Sequence, residues 1–195
     1  PHRDEIDVHD VWYDGTGLGL VVPSYADIDS IDELRDQAGR YEYQGRPSIL
    51  GIDSGSAIAG LTEDAIEAYE LPLNQVNSSG PAMMAALDSA YQREEPIVVT
   101  LWSPHWAFAE YDLKYLEDPQ GVYGENESIH WMSRKGLANE DPWLASVLDA
   151  WKMDDDSLGG LMARIEKVGD PVEGAKAWIE DNRTLIDSWF DAAES

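Results

Sequence analysis

A short apolar run that follows a proline is the feature that most restricts the fold of this chain. Residues 97–101 read Ile-Val-Val-Thr-Leu and come directly after Pro96. A run of this length and composition predicts a strand covered on both faces, as in a parallel sheet. Trp102 follows it, so we expect this side chain at the carboxyl end of the strand. Ser103 and Pro104 then predict a helical turn, with Ser103 as its N-cap.

Strand and helix signals alternate through the region around this run. The remaining predicted elements are strands at 18–22, 48–52 and 73–77, and helices at 30–38, 57–69 and from Gly80 onward. The first of these helices begins with Ser30 and has Glu33 three residues later, which is the pattern of a capping box. The alternation over residues 24–118 favours one complete α/β lobe with a parallel sheet and right-handed crossovers.

The two ends of the chain follow a different pattern. Residues 128–132 predict one strand, and three helices with apolar stripes follow, the last from Asp170 to about Phe190. One strand cannot cover three such stripes. We therefore expect residues 1–23, with a crossing strand, and 119–195 to form an incomplete lobe. Its missing sheet would come from chain outside this sequence or from a second copy that exchanges segments.

The first seventeen residues are polar and acidic. Gly15, Gly17 and Gly19 indicate a turn, since a dinucleotide-binding loop would have to follow a strand and open a helix. His2 and His9 lie near several aspartates, but their spacing matches no metal-ligand pattern. The segment is therefore interpreted as a solvated loop, and no metal or cofactor is predicted.

The charge of the chain excludes several classes of partner. Thirteen Lys and Arg residues stand against 39 Asp and Glu, for a formal net charge of -26. Such a surface repels phosphate backbones and anionic lipids, which argues against nucleic acid or membrane binding by charge. It fits a salty or extracytoplasmic setting, where counterions screen the self-repulsion. Cysteine is absent, and no segment resembles a signal peptide or a membrane span.

A second candidate site is the turn at residues 51–56, Gly-Ile-Asp-Ser-Gly-Ser. A strand ends and a helix begins there, so unpaired amides can attract a carboxylate or phosphate. Alternatively, its serines only cap their own helix. The turn lacks the G-x-S-x-G pattern of a nucleophile elbow, and the chain has no H-E-x-x-H motif or P-loop. No catalytic residues are predicted, although a small hydrolase that uses Asp53, Ser54 and His105 is kept as a remote alternative.

Four segments of this sequence resemble the glycine-betaine-binding proteins, the solute receptors of ABC importers. They are GLVVPSYADIDSIDEL (19–34), GIDSGSAI (51–58), EEPIVVTLWSPHW (94–106) and YDLKYLEDP (111–119). The resemblance implies a periplasmic-binding-protein-like fold of type II, with two α/β lobes that close on a quaternary ammonium ligand in the cleft between them. It also implies an extracytoplasmic, non-enzymatic protein whose partner is an ABC permease in the membrane.

The same resemblance assigns roles to individual residues. The family holds its ligand in a cage of aromatic side chains, usually three tryptophans, and binds the ligand carboxylate through backbone amides and a histidine. Trp102 matches a cage tryptophan, Gly51 and Ile52 match the amide donors, and His2 matches the histidine. Asp53 belongs to the same turn as the amides. The other cage tryptophans fall in a segment that precedes Pro1 in the family.

Alternatives remain open for these residues. Trp102 and Trp106 are four residues apart, and both can simply fasten the helical turn to the core. The ligand can also be choline, carnitine or proline betaine. A trimethylammonium group donates no ordinary hydrogen bond, so a site specific for it must use aromatic faces.

Overall fold

The computed structural model describes residues 5–194. Its strands are β1 (Ile6–Pro23), β2 (Glu42–Tyr43), β3 (Arg46–Gly51), β4 (Asn74–Asn77), β5 (Val99–Ser103), β6 (Leu113–Tyr115) and β7 (Glu127–Arg134). Its helices are α1 (Leu34–Gln37), α2 (Ala57–Ala68), α3 (Gly80–Gln92), α4 (Ala107–Glu110), α5 (Leu137–Glu140), α6 (Pro142–Ala150), α7 (Asp155–Val168), α8 (Pro171–Asp181) and α9 (Arg183–Ala193). The described residues form two compact units, 17–125 and 5–16 with 126–194.

These boundaries differ from those predicted, which placed 1–23 and 119–195 together. Residues 17–23 of β1 pair with β5 and β6 and so belong with unit 17–125. The segment after residue 118 also packs there, because the Tyr123 hydroxyl lies 2.9 Å from the hydroxyl of Thr62 in α2. Both boundaries therefore depend on contacts between residues far apart in the sequence, which local patterns do not reveal.

The sheet of unit 17–125 is mixed. β3 pairs in parallel with β4 and with β5, which confirms the predicted parallel arrangement for these three strands. A wholly parallel sheet was wrong, because β1 pairs antiparallel with β5 on one side and with β6 on the other. β2 adds a short antiparallel hairpin to the start of β3.

The apolar run of β5 is covered on both faces, as predicted. Val98 packs in one buried cluster with Leu20 and Ile49, whereas Val99 and Leu101 pack in another with Leu50. Successive side chains of a strand point to opposite faces, so this division places one cluster on each face. Burial on both faces explains why polar residues are rare in this run.

The predicted helix start at Ser103 was wrong, and helical structure begins after Ser30 as predicted but without the capping box. The strand β5 continues through Ser103, whose hydroxyl lies 2.9 Å from that of Tyr115, and α4 begins only at Ala107. Ser30 makes no capping bond, because its hydroxyl bonds to Asp32. A 3-10 turn at Ile31–Glu33, then α1, then a second 3-10 turn at Ala38–Arg40 follow it. In both cases, other hydrogen bonds occupy the serine that a cap would need.

The predicted loop at 1–17 was also wrong wherever the structure describes it. Residues 6–16 form the first part of β1 and pair antiparallel with β7, with several register shifts. Gly15 has φ +86°, and it lies where the register changes between Asp14 and Thr16. The predicted turn is therefore a bulge within a strand, which glycine accommodates without strain.

The strand and helix starts predicted for 126–194 are confirmed, and the last predicted helix is divided. The side chains of Asp141, Asp154 and Asp170 accept hydrogen bonds from the first turns of α6, α7 and α8. α8 ends at Asp181, because Asn182 leaves the helical conformation and donates from its side chain to the Trp178 carbonyl at 2.8 Å. α9 then begins anew.

Candidate ligand-binding site

Three parallel strands of unit 17–125 end at the same edge of the sheet. β3 ends at Gly51, β4 at Asn77 and β5 at Ser103, and Gly51 pairs directly with Asn77. Ligands of open α/β sheets bind outside the carboxyl ends of such strands. This edge carries two of the predicted contacts, Gly51 and Trp102.

Gly51 and Trp102 lie on one face of the sheet. A Cβ atom placed on Gly51 would stand 3.1 Å from Asn77 Oδ1 and 3.5 Å from Thr100 Oγ1. Thr100 and Trp102 are two residues apart on β5, so their side chains point to the same face. The Cβ position of Gly51, which Asn77 and Thr100 border, and the side chain of Trp102 are therefore on the same face of the sheet.

Trp102 is not part of the packed interior of this unit. Its side chain is partly exposed, and within the described residues it belongs to none of the apolar clusters. Leu18, which is paired with it on β1, is itself 38% exposed. Trp106, in contrast, packs against the cluster that contains Leu101, so the core interpretation holds for Trp106 alone.

The ring of His105 contacts the indole of Trp102 at the end of β5. The two ring centroids are 4.8 Å apart, and the planes are nearly perpendicular at 87°. His105 is 8% exposed, and burial lowers the pKa of its imidazole. Its Nδ1 accepts the Ala107 N–H at 3.1 Å. The ring also stacks on Trp106, with ring centroids 5.5 Å apart.

The turn that follows β3 divides its hydrogen-bonding groups between the helix and the solvent. Ser56 Oγ accepts the Ala59 N–H at 3.3 Å, so this serine caps α2, as the alternative interpretation held. Asp53 Oδ1 accepts the Gly55 N–H at 2.8 Å. Within residues 5–194, no hydrogen bond is found from the amides of Ile52, Asp53 or Ser54. These amides are the available donors.

Asp53 is exposed, and its carboxylate is turned to its own loop. A second carboxylate would be repelled by this charge, so Asp53 can serve an anionic group only through its backbone amide. His2, the predicted histidine contact, lies outside the described residues. The hydrolase alternative gains no support, because among the described residues Ser54 makes no hydrogen bond to His105, whose Nδ1 is held by Ala107.

Sequence reasoning missed one polar pair at this edge. Gln75 Nε2 donates to Asn77 Oδ1 at 2.7 Å, and Asn77 stands over Gly51. Only the register between β3 and β4 brings these amides to Gly51. The Asn-Gln-Val-Asn stretch carries no local signal of that pairing.

Two features are absent from the residues that the structure describes. No helix within them is long and apolar enough to cross a membrane. No group of acidic and histidine side chains in residues 5–194 is arranged to hold a metal ion.

Comparison with known proteins shows the family to which this chain is related. The model of the family "Substrate binding domain of ABC-type glycine betaine transport system" matches residues 2–181. The chain belongs to this family. The glycine betaine/carnitine transport binding protein GbuC of Listeria monocytogenes is 39% identical over 150 residues, which is 75% of this chain. The chain spans half the length of that relative.

Two solved structures of this family share the fold. Lactococcal OpuAC in a closed form complexed with glycine betaine is 37% identical, with a TM-score of 0.72 over 95% of this chain and 71% of its own. The glycine/betaine/L-proline-binding protein ProX of Borrelia burgdorferi is 36% identical, with the same TM-score over 96% of this chain and 70% of its own. The predicted periplasmic-binding-protein-like α/β class is thereby confirmed.

Proposed function

We propose that this chain is the ligand-binding part of an ABC importer receptor for glycine betaine or a closely related quaternary ammonium zwitterion. The observation that carries the proposal is the placement of Trp102, partly exposed at the end of β5 and on the same face as Gly51. The names of its relatives, which include glycine betaine, support the same class of ligand.

The chemistry of the ligand fits the two kinds of group at this edge. The trimethylammonium end requires an aromatic face, and a desolvated cation–π contact is worth about 2 kcal/mol. The carboxylate end requires N–H donors, which the amides of Ile52 and Asp53 would supply from the backbone. Gly51, the other predicted donor, is the last residue of β3 and is paired with Asn77. His2 would add a further donor, as the family resemblance implies. The zwitterion has no net charge, so the acidic surface does not exclude it.

Titration of glycine betaine into the purified chain tests this proposal. Binding is followed by tryptophan emission and by calorimetry. Trp102→Ala should weaken binding roughly 30-fold, which corresponds to one cation–π contact. Trp143→Ala is the matched control, because Trp143 is an exposed tryptophan of the other unit. If the wild-type chain does not respond, or if both variants bind as it does, the proposal fails.

The choice among quaternary ammonium ligands is a second question for the same assay. Carnitine and proline betaine carry both a quaternary ammonium group and a carboxylate, whereas choline lacks the carboxylate. Because the amides after β3 are available donors, choline should bind more weakly than glycine betaine. Equal affinities would show that the amides do not contribute, and would favour the choline alternative.

The remaining properties follow from the family role. A receptor of this class works outside the cytoplasm, in the periplasm or tethered to the outer face of the membrane, with a membrane permease as partner and without catalysis. Co-purification with the membrane permease of an ABC importer would test the partnership. Absence of ester hydrolysis under conditions where betaine binds would test the non-enzymatic assignment.

We also propose that unit 5–16 with 126–194 takes additional sheet from another segment or from a second copy. Its described sheet has β1 and β7, and the cross-strand pair Val8 and Met132 is 61% and 63% exposed. Light scattering of the purified chain tests the second copy. A dimer would support exchange, whereas a monomer would contradict the second copy.

A further inference from the structure

We infer that His105 is a positioning residue, which holds the indole of Trp102 in the orientation that receives the quaternary ammonium group. This inference rests on the proposed function and extends it to a residue that does not touch the ligand.

The contacts of His105 fix its ring from several directions. Ala107 donates its N–H to Nδ1 at 3.1 Å, and Trp106 stacks on the ring at 5.5 Å. The ring is 8% exposed, so it has little freedom to turn. Its one remaining ring contact is the perpendicular one to Trp102, with centroids 4.8 Å apart. Trp102 has no place in the apolar clusters of the described residues, so this contact is a principal restraint on its indole.

The hydrogen bond also fixes the protonation of His105. Since Nδ1 accepts the Ala107 N–H, the ring proton resides on Nε2 and the imidazole is neutral. Protonation would place an N–H against the Ala107 N–H and break this bond. It would also place a cation beside the π-system that the ligand cation must contact. The neutral ring is therefore the form that supports binding.

The surroundings favour that neutral form. Burial lowers the pKa of His105, and no charged side chain of the described residues contributes to the change. The groups packed on the ring are Trp102 from β5, Trp106, and the Ala107 amide at the start of α4. None of them stabilises an imidazolium by charge. His105 should therefore stay neutral until the pH falls below the usual histidine range.

Two substitutions separate the roles of the ring and of its acceptor. His105→Asn keeps an oxygen near the position of Nδ1 for the Ala107 N–H but removes the ring. His105→Phe keeps a ring against Trp102 but cannot accept the bond or titrate. His130→Asn is the control, because His130 is an exposed histidine of the other unit.

The first measurement is the affinity for glycine betaine near pH 8. His105→Asn should weaken binding about 3- to 10-fold, the range that energies of aromatic pairs correspond to. His105→Phe should lose less, and His130→Asn nothing. Circular dichroism and thermal unfolding check that each variant folds. A folded His105→Asn variant that binds as tightly as wild type overturns the inference, while wild-type binding keeps the proposed function intact.

The second measurement needs no ligand. The difference in emission between wild type and Trp102→Phe reports Trp102, and a nearby imidazolium should quench it only as the pH falls below the usual histidine range. His105→Phe should abolish this quenching. The comparison between the variants decides, not the pH profile of wild type alone. If the Trp102 emission changes neither with pH nor on substitution of His105, the inference is overturned. This outcome can be read even if wild type binds no betaine.

Discussion

The side-chain oxygen of Asn77 lies 3.1 Å from the position that a Cβ atom on Gly51 would occupy. This approach is tighter than ordinary van der Waals contact, and Asn77 is held from its other side by the bond from Gln75. Gly51 therefore allows the end of β4 to close over the end of β3. Any side chain at residue 51 has to displace that amide pair.

Gly51→Ala should destabilise the protein by about 1 kcal/mol, at the lower end of the range for overpacking, because the asparagine can shift by a few tenths of an ångström. Thermal or urea unfolding measures the cost. In an Asn77→Ala background the same substitution should cost much less. An equal cost in both backgrounds would show that Asn77 is not the neighbour that matters.

Gly174 is enclosed more tightly than Gly51 and lies in unit 5–16 with 126–194. A Cβ atom on Gly174 of α8 would stand 2.7 Å from the Cα atom of Ile165 in α7, and backbone cannot move aside as a side chain does. Gly174→Ala should therefore destabilise the protein by about 3 kcal/mol. Gly60→Ala in α2 is the opposite case, since nothing lies within 4 Å. It should stabilise the helix by up to about 1 kcal/mol. Similar unfolding midpoints for the two variants would contradict this packing.

The cap of α7 should be sensitive to acid. Hydrogen bonds from the side chain and backbone of Ser157 hold the pKa of Asp154 below its usual value. A carboxyl whose pKa is lower in the folded state contributes stability above its unfolded pKa. That contribution is lost as the pH falls through the folded pKa. Asp154→Ala should cost about 1 kcal/mol near neutral pH, and Asp154→Asn less.

The acid dependence of these variants gives the check. The difference in unfolding free energy between wild type and Asp154→Asn should shrink as the pH falls below the usual aspartate range. A difference that stays constant through this range would mean that the charge of Asp154 adds nothing to the cap.

The large negative charge should make stability depend on salt. The chain has a formal charge of -26, and the ion pairs of the described residues lie at the surface. Their contribution is small, so the net effect of salt is to screen repulsion. Raising KCl from about 0.1 M to about 1 M should raise the melting temperature. NaCl at the same ionic strength should give the same rise, because screening depends on ionic strength, and a rise confined to one salt would contradict screening.

One position on α2 isolates this repulsion. Glu63 and Glu67 are exposed and four residues apart, so their carboxylates are neighbours on one helix face. Glu67→Lys should replace repulsion by attraction and place a cation in the last turn, for a gain of roughly 0.5 kcal/mol at low salt. Glu67→Gln should give about half of this gain. In concentrated KCl the two variants should converge toward wild type, and a gain that persists there would have another cause.

The parts of the fold that the sequence predicted are those with strong local signals. The run at 97–101 is apolar except for Thr100, and the aspartates at the starts of α6, α7 and α8 each precede an apolar stripe. The loop prediction for residues 6–16 was wrong because the strand they form is polar and interrupted by bulges. Only its pairing with β7, more than one hundred residues away, makes it a strand.

The candidate site divides in the same way. Trp102 and Gly51 stand in recognisable motifs at strand ends, and the structure places both on one face. Asn77 and Gln75 reach Gly51 only through the register of β3 with β4. The contact between Trp102 and His105 could not be predicted from the sequence either, because a helix that began at Ser103 would have oriented these two rings differently.

The three aspartates that cap α6, α7 and α8 have a practical consequence for anyone who adapts this protein to dilute buffers. Replacing the carboxylates of this acidic surface indiscriminately would remove Asp141, Asp154 and Asp170 together with carboxylates that cap no helix. A redesign that retains these three and neutralises carboxylates such as Glu67 would lower the charge while leaving the helix origins intact.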